Sequence, residues 1–140
     1  KPGVPTAAIE LEDGTIITSK TTDLLGASAA LLLNALKYLG GVDHDTHLIS
    51  PEAIEPIAEL KVKFLGGKNP RLHTDEVLIA LSIASISDDN AKVSLSQIPK
   101  LKGLQAHTSV MLSPADIRTF KRLGIDVTSE PVRSVKKKEK

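Results

Sequence analysis

The sequence predicts an α/β domain: a three-layer α-β-α arrangement around a five-stranded mixed sheet in the order 2-1-3-4-5, opened by an N-terminal hairpin. Three observations carry this expectation. Two β-rich runs flank Glu12-Asp13-Gly14, a strongly apolar helical stretch follows, and short apolar runs then alternate with segments opened by Ser-Pro.

TAAIEL (6–11) and TIITS (15–19) are the first two strands, because Asp-Gly between such runs is a hairpin signal. Thr21, Thr22 and Asp23 offer N-cap chemistry for a helix expected from Leu24 to about Leu39, with Gly40-Gly41 as its stop. Leu and Ala surround that helix on nearly every side, so it should be largely buried. THLIS (46–50) reads as a short buried strand. Ser50-Pro51-Glu52 then opens a helix to about Phe64, with Pro56 in its second turn.

GGKNPRLH (66–73) reads as a loop, and Thr74-Asp75-Glu76 as the cap of the helix VLIALSIASI. SDDN (87–90) interrupts it, and a shorter helix carries Val93, Leu95 and Ile98 before Pro99. AHTSVML (106–112) is the fourth expected strand. Ser113-Pro114-Ala115-Asp116 repeats the cap-plus-proline signature with a shortened capping box, Gly124 ends that helix, and IDVTSEPV (125–132) is the last strand. Right-handed crossovers would cover both faces of the sheet, with only the second strand antiparallel. Residues 1–133 form a single domain in this reading, and the basic tail 134–140 is a frayed, disordered end.

Composition removes several function classes. The chain has 140 residues, a formal charge of +1, no cysteine, no tryptophan, one tyrosine and two phenylalanines. Single-stranded nucleic-acid binding leans on aromatic platforms, so nucleic acid is not an expected partner. Absence of cysteine excludes disulfides, thiolate catalysis and Cys-ligated zinc. The most apolar stretch is broken by Ser28 and Asn34, and no membrane span or signal peptide is expected. The chain opens KPGVP without an initiator methionine, which fits a piece excised from something longer. A cytoplasmic location is compatible with these features.

The expected strand order resembles the three-layer topology of the cytidine deaminase family, a likeness of topology that implies no activity. Zinc deaminases need a His or Cys followed by Glu, then P-C-x-x-C. The chain has no cysteine and no H-x-E, so that zinc site is excluded. Asp43-His44-Asp45-Thr46-His47 is the densest run of metal-ligating side chains, but its spacing across a loop-to-strand junction does not present two imidazoles on one face. No metal or other cofactor is expected. His107 reads as a satisfied core histidine. Ser28, Ser82, Ser109 and Ser113 lack any G-x-S-x-G context, so a nucleophilic triad has no support.

From Gly14 the letters G-T-I-I-T-S-K-T differ from a Walker A loop by Ser19 in place of glycine. The β-branched T-I-I-T resists the nested turns of a phosphate cradle and suits a strand. A looser anion site near the helix start, with Lys20, stays open. GGKNPRLHTDE (66–76) is the most chemically loaded stretch, placing Lys68, Asn69, Arg71 and His73 before a helix N-terminus. Two cations, loop amides and a helix dipole would suit a phosphate or carboxylate ligand. A structural loop, with Arg71 and His73 held by internal bonds, is the competing reading.

Four stretches together resemble one family: AIELEDGTIITSKTTDLLGASAALLLNALKYL, HLISPEAIEPIAELK, LGGKNPRLHTDEVLIALSI and AHTSVMLSPADIRTFKRLGIDVTSEP. They look like the C-terminal domain of bacterial domain-of-unknown-function family 1846, also called uncharacterised protein family 0371, from about Thr6 to Pro131. The resemblance implies a full-length protein several times longer, whose N-terminal part carries a P-G-P-G-S-G-K-like stretch. It further implies cytoplasmic homo-oligomers and no established activity. The family often has glycine where Ser19 stands, and the tail after Val132 does not resemble it. The function expected is a C-terminal structural or assembly domain whose partners are the N-terminal region of its own chain and further copies. The alternative is a half-site for a phosphorylated small molecule or nucleotide within a phosphoryl-transfer-type enzyme, built on loop 66–76.

Overall fold

The computed structural model describes residues 4–130. The expected Lys-rich tail lies outside them. Strands β1 (Thr6–Glu10) and β2 (Ile16–Lys20) form the hairpin, and helix α1 (Ala27–Leu39) follows. Helix α2 (Pro51–Glu59) runs into a π-helical turn at Leu60–Phe64, and α3 (Thr74–Ala84) and α4 (Asp89–Leu95) follow. A 3-10 turn (Ile98–Leu101), β3 (Gln105–Thr108), α5 (Pro114–Leu123) and β4 (Asp126–Ser129) complete the chain.

Turn chemistry explains most boundaries. Gly14 takes φ 88° at the hairpin, its amide bonds the Leu11 carbonyl at 2.9 Å, and Asp13 Oδ1 accepts the Thr15 amide at 2.9 Å. The G-T-I-I-T-S-K-T run is therefore a turn and an edge strand, not a phosphate loop. Ser50 and Ser113 cap α2 and α5 through the amides of Ala53 and Asp116, each at 3.2 Å. Asp116 does not close the shortened capping box. Its Oδ1 reaches across to α3, accepting the Thr74 amide at 2.9 Å and the Thr74 hydroxyl at 2.6 Å.

The sheet departs from expectation. It has four strands in the order β2-β1-β3-β4, with β1 antiparallel to both β2 and β3 and only β3–β4 parallel. The expected strand at 46–50 is absent. Lys37 Nζ donates to the carbonyls of His44 at 2.6 Å and Thr46 at 3.2 Å, and the Thr46 amide bonds Asp43 at 3.0 Å. Those backbone groups are thus satisfied without a ladder. Leu48 and Ile49 are both buried, a consecutive pair where a strand would bury alternate residues. The cytidine-deaminase likeness falls with that strand and with the antiparallel β1–β3 pairing.

Helices do not sandwich the sheet either. Its inner face carries the buried Ala7, Ile9, Ala106 and Thr108. Helix α1 packs on β1 and β2, and α5 packs on β4. Helices α3 and α4 pack on α1 as a further layer, and α3 also meets α5. The opposite sheet face carries the cross-strand row Thr18, Ala8, His107 and Thr128, which helices leave open. His107 belongs to that open face, 51% exposed, with Nδ1 2.8 Å from Thr128 Oγ1. It is not a core histidine.

Helix α1 begins at Ala27 after Gly26, later than the Thr21-Thr22-Asp23 cap implied. Thr22 instead caps a turn of its own, its Oγ1 accepting the amides of Leu24 at 3.2 Å and Leu25 at 3.0 Å. At the other end, a Cβ on Gly40 would lie 3.4 Å from Ser94 Cα, so glycine there lets α4 close onto α1. Among the described residues no helix is long and apolar enough to cross a membrane.

The Asp116–Thr74 link yields a direct test. Thr74 is fully buried, so Asp116→Ala would strand its amide and hydroxyl and lower stability by about 2–3 kcal/mol. Urea unfolding should show that loss, while Glu12→Ala in the exposed hairpin stays within about 0.5 kcal/mol of the parent.

Candidate functional site

The loop between α2 and α3 is held from both sides. Residues 22–26 and 71–72 run together: the Leu72 amide bonds Leu24 at 3.0 Å, and the Gly26 amide bonds Leu72 at 3.2 Å. Arg71 Nε donates to the Thr22 carbonyl, and Asn69 Oδ1 accepts the Arg71 amide at 3.0 Å. Lys61, from the π-helical turn, donates to the Arg71 carbonyl and to Glu76 Oε1 at 2.7 Å. Glu76 also accepts the His73 amide at 2.8 Å, which satisfies the first donor of α3. His73 precedes α3 as its N-cap residue, a position expected for Thr74-Asp75-Glu76.

Burial pushes the Glu76 carboxyl up, but the His73 amide and the Lys61 ammonium outweigh it and hold the group below its ordinary value. His73, Asp75 and Glu76 bring potential metal-ligand atoms within 4.8 Å of one another. Glu76 Oε1 already serves Lys61 and the His73 amide, and Asp75 Oδ1 accepts the Glu76 amide at 2.9 Å. The cluster thus works as a helix start. Asp43, exposed, likewise holds its own turn, accepting the Asp45 amide at 2.9 Å.

Lys20 is elsewhere. It lines a groove of about 1310 Å³ whose walls are β2 with the open sheet face, α1, and the segment from His44 into α2. Lys68, Asn69, Arg71 and His73 do not line this groove. The five residues proposed from sequence are therefore split between two places. The groove floor is the α1 stripe Ala30, Leu33, Asn34 and Lys37, at i, i+3, i+4 and i+7. Leu48, Ile49 and Ile54 add apolar surface, while His44, His47, His107 and Ser109 stand around it. Burial lowers the Lys37 pKa against the opposing pull of Asp45 and Asp43, and its ammonium is held by the two loop carbonyls described above.

Sequence reasoning missed the groove because its residues come from five separate segments. The α1 stripe was the available signal: Asn34 and Lys37 interrupt an otherwise apolar helix on one face. Chemically the groove offers apolar surface from Ala30 and Leu33, the two lysines Lys20 and Lys37, and strand backbone of β2.

The Glu76 link sets a pH dependence. Its folded pKa is depressed, so its contribution is present above the unfolded glutamate pKa and is lost as pH falls through the lower folded value. The unfolding midpoint should therefore drop on acidification through the carboxylate range. Glu76→Gln should lower stability at neutral pH by about 2 kcal/mol and flatten that part of the acid profile. Thermal melts from neutral to strongly acidic pH check both effects.

Comparison with known proteins places the chain. The family model described as Domain of unknown function DUF1846, C-terminal, matches residues 1–138, reaching into the lysine-rich segment expected to fall outside the family. UPF0371 protein cu0538 of Corynebacterium urealyticum is 56% identical over 131 residues, 94% of this chain and 26% of the relative. UPF0371 protein DIP2346 of Corynebacterium diphtheriae is 53% identical over 131 residues, with the same shares covered. UPF0371 protein SUB1165 of Streptococcus uberis is 45% identical over 130 residues, 93% of this chain and 26% of the relative. The chain thus spans about a quarter of the length of these relatives. The family model over residues 1–138 and these matches along nearly the whole chain lead to one conclusion: the chain belongs to the UPF0371 family, as its DUF1846 C-terminal domain.

Proposed function

We propose that this chain is an assembly domain that packs against the remaining three-quarters of the full-length protein and performs no chemistry by itself. Helix α3 supports this reading most strongly. One side buries Val77, Ala80 and Leu81 in the core, yet the other carries Ile79, 62% exposed, and Ile83, 63% exposed. Ile86 continues the same face at 80% exposure. A helix apolar on both sides is built to be covered on both sides. Phe64 and Leu65, 75% and 69% exposed at the end of the π-helical turn, extend the uncovered apolar surface.

Relatives at 43–56% identity are matched over only 26% of their length, so ample chain exists to cover these surfaces. In loop 66–76, Arg71 Nε is bonded to the Thr22 carbonyl and Asn69 to the loop backbone, which supports the structural reading. Lys68 has no bonded partner among the described residues.

In the full-length protein, a cysteine placed at Ile83 should react with a maleimide at least about tenfold more slowly than one placed at Asp89. Peptide mass spectrometry locates the label. Equal rates at the two positions would sink the assembly reading. Ile83→Ser should also destabilise the full-length protein by about 1–3 kcal/mol, through loss of a buried apolar contact.

A further inference from the structure

We infer that the free edge of β2 receives an extended segment from the remainder of the full-length chain, which adds a fifth strand to the sheet. This rests on the assembly reading and names where one contact is made. The ladder itself shows the vacancy. The Thr21 amide bonds Pro5 and the Leu11 amide bonds Thr15, so residues 15, 17, 19 and 21 face β1. The amides and carbonyls of Ile16, Thr18 and Lys20 therefore point outward. Asn34 Nδ2 donates to the Thr18 carbonyl at 3.0 Å, a side chain occupying one acceptor of the edge. No proline or bulge blunts this edge, and its register with β1 is unbroken from Lys20 to Ile16.

The groove decides between the two sheet edges. Thr18, Ser19 and Lys20 of β2 line it, and no residue of β4 does. Its floor, Ala30 and Leu33 with Ile54 beside them, lies where alternate side chains of an added strand would descend. The chemistry of the occupant follows: an extended run with apolar residues at every second position, small enough at the floor to sit on alanine and leucine. Main-chain bonds to Ile16, to Lys20 and to the Thr18 amide supply affinity, and the floor supplies register.

Length supplies the donor. The matched region is 26% of each relative, so most of the protein lies outside this chain. A second copy of the domain is the rival occupant, and dilution separates the two. The sequence led to a fifth strand at 46–50, but that segment instead forms part of the groove wall at Thr46, His47, Leu48 and Ile49.

Residue-resolved amide exchange on the full-length protein tests this. The outward amides of Ile16, Thr18 and Lys20 should exchange at least about 100-fold more slowly than unprotected amides, independently of protein concentration. Thr18→Pro removes an amide that the domain itself does not use, and proline is tolerated at such an edge position. In that variant the Ile16 and Lys20 amides should return toward unprotected rates while inward amides such as Ile17 stay slow. Unprotected rates at Thr18 and Lys20 in the parent overturn the strand, and do so whether or not Thr18→Pro folds. If a cysteine at Ile83 remains shielded in that case, only the strand fails; if it reacts freely, the assembly reading fails too. Protection that disappears on dilution would place a second copy on the edge and overturn the donor named here.

Discussion

Helix α1 sits between the sheet and the outer helices, with Leu31, Leu32, Ala35 and Leu36 fully buried. Burying a leucine from water stabilises by roughly 1.5–3 kcal/mol before entropy is counted, so exposing either side of this helix would be costly. The hairpin covers it from one side through Ala7 and Ile9, and α3 and α4 cover it from another through Val77, Leu81 and Ala91. Its remaining side carries Ala30, Leu33, Asn34 and Lys37 and becomes the groove floor. The groove runs along that side, where Ala30 and Leu33 are buried and Asn34 and Lys37 are half-buried.

The same demand explains what the charges of the cationic loop do inside the domain. Closing α3 onto α1 brings residues 71–72 beside residues 22–26, and the backbone there must find partners. Arg71 answers for the Thr22 carbonyl and Lys61 for that of Arg71, with Glu76 neutralising Lys61 at 2.7 Å. The Lys61 ammonium is bonded twice in this way, and Arg71 through Nε alone.

The outer face of α3 and the edge of β2 are surfaces the described residues do not cover. One is apolar side chain and the other is unpaired backbone, and the assembly reading proposed above has further polypeptide complete both. The chain spans about a quarter of the length of the relatives it matches.

Several local signals read correctly where a single segment decides the outcome, although the caps expected at Thr21-Thr22-Asp23 and Thr74-Asp75-Glu76 fell on Gly26 and His73. Asp13-Gly14 made the hairpin legible, Ser50-Pro51 and Ser113-Pro114 marked helix starts, and the Leu-Ala run of α1 declared its own burial. The T-I-I-T run likewise announced a strand in place of a phosphate loop. What sequence could not settle was anything requiring two distant segments. THLIS carries strand-like residues, but Lys37 takes the Thr46 carbonyl together with that of His44, and the segment pairs with no strand. His107 lies on an inner strand, yet which strand face meets helices depends on where α1 and α5 dock. Lys20 and Arg71 share a charge, and only the folded backbone assigns one to an open groove and the other to a clamp. Propensity and capping act over a few residues and are written locally; pairing partners, covered faces and the fate of each charge are set by which surfaces meet.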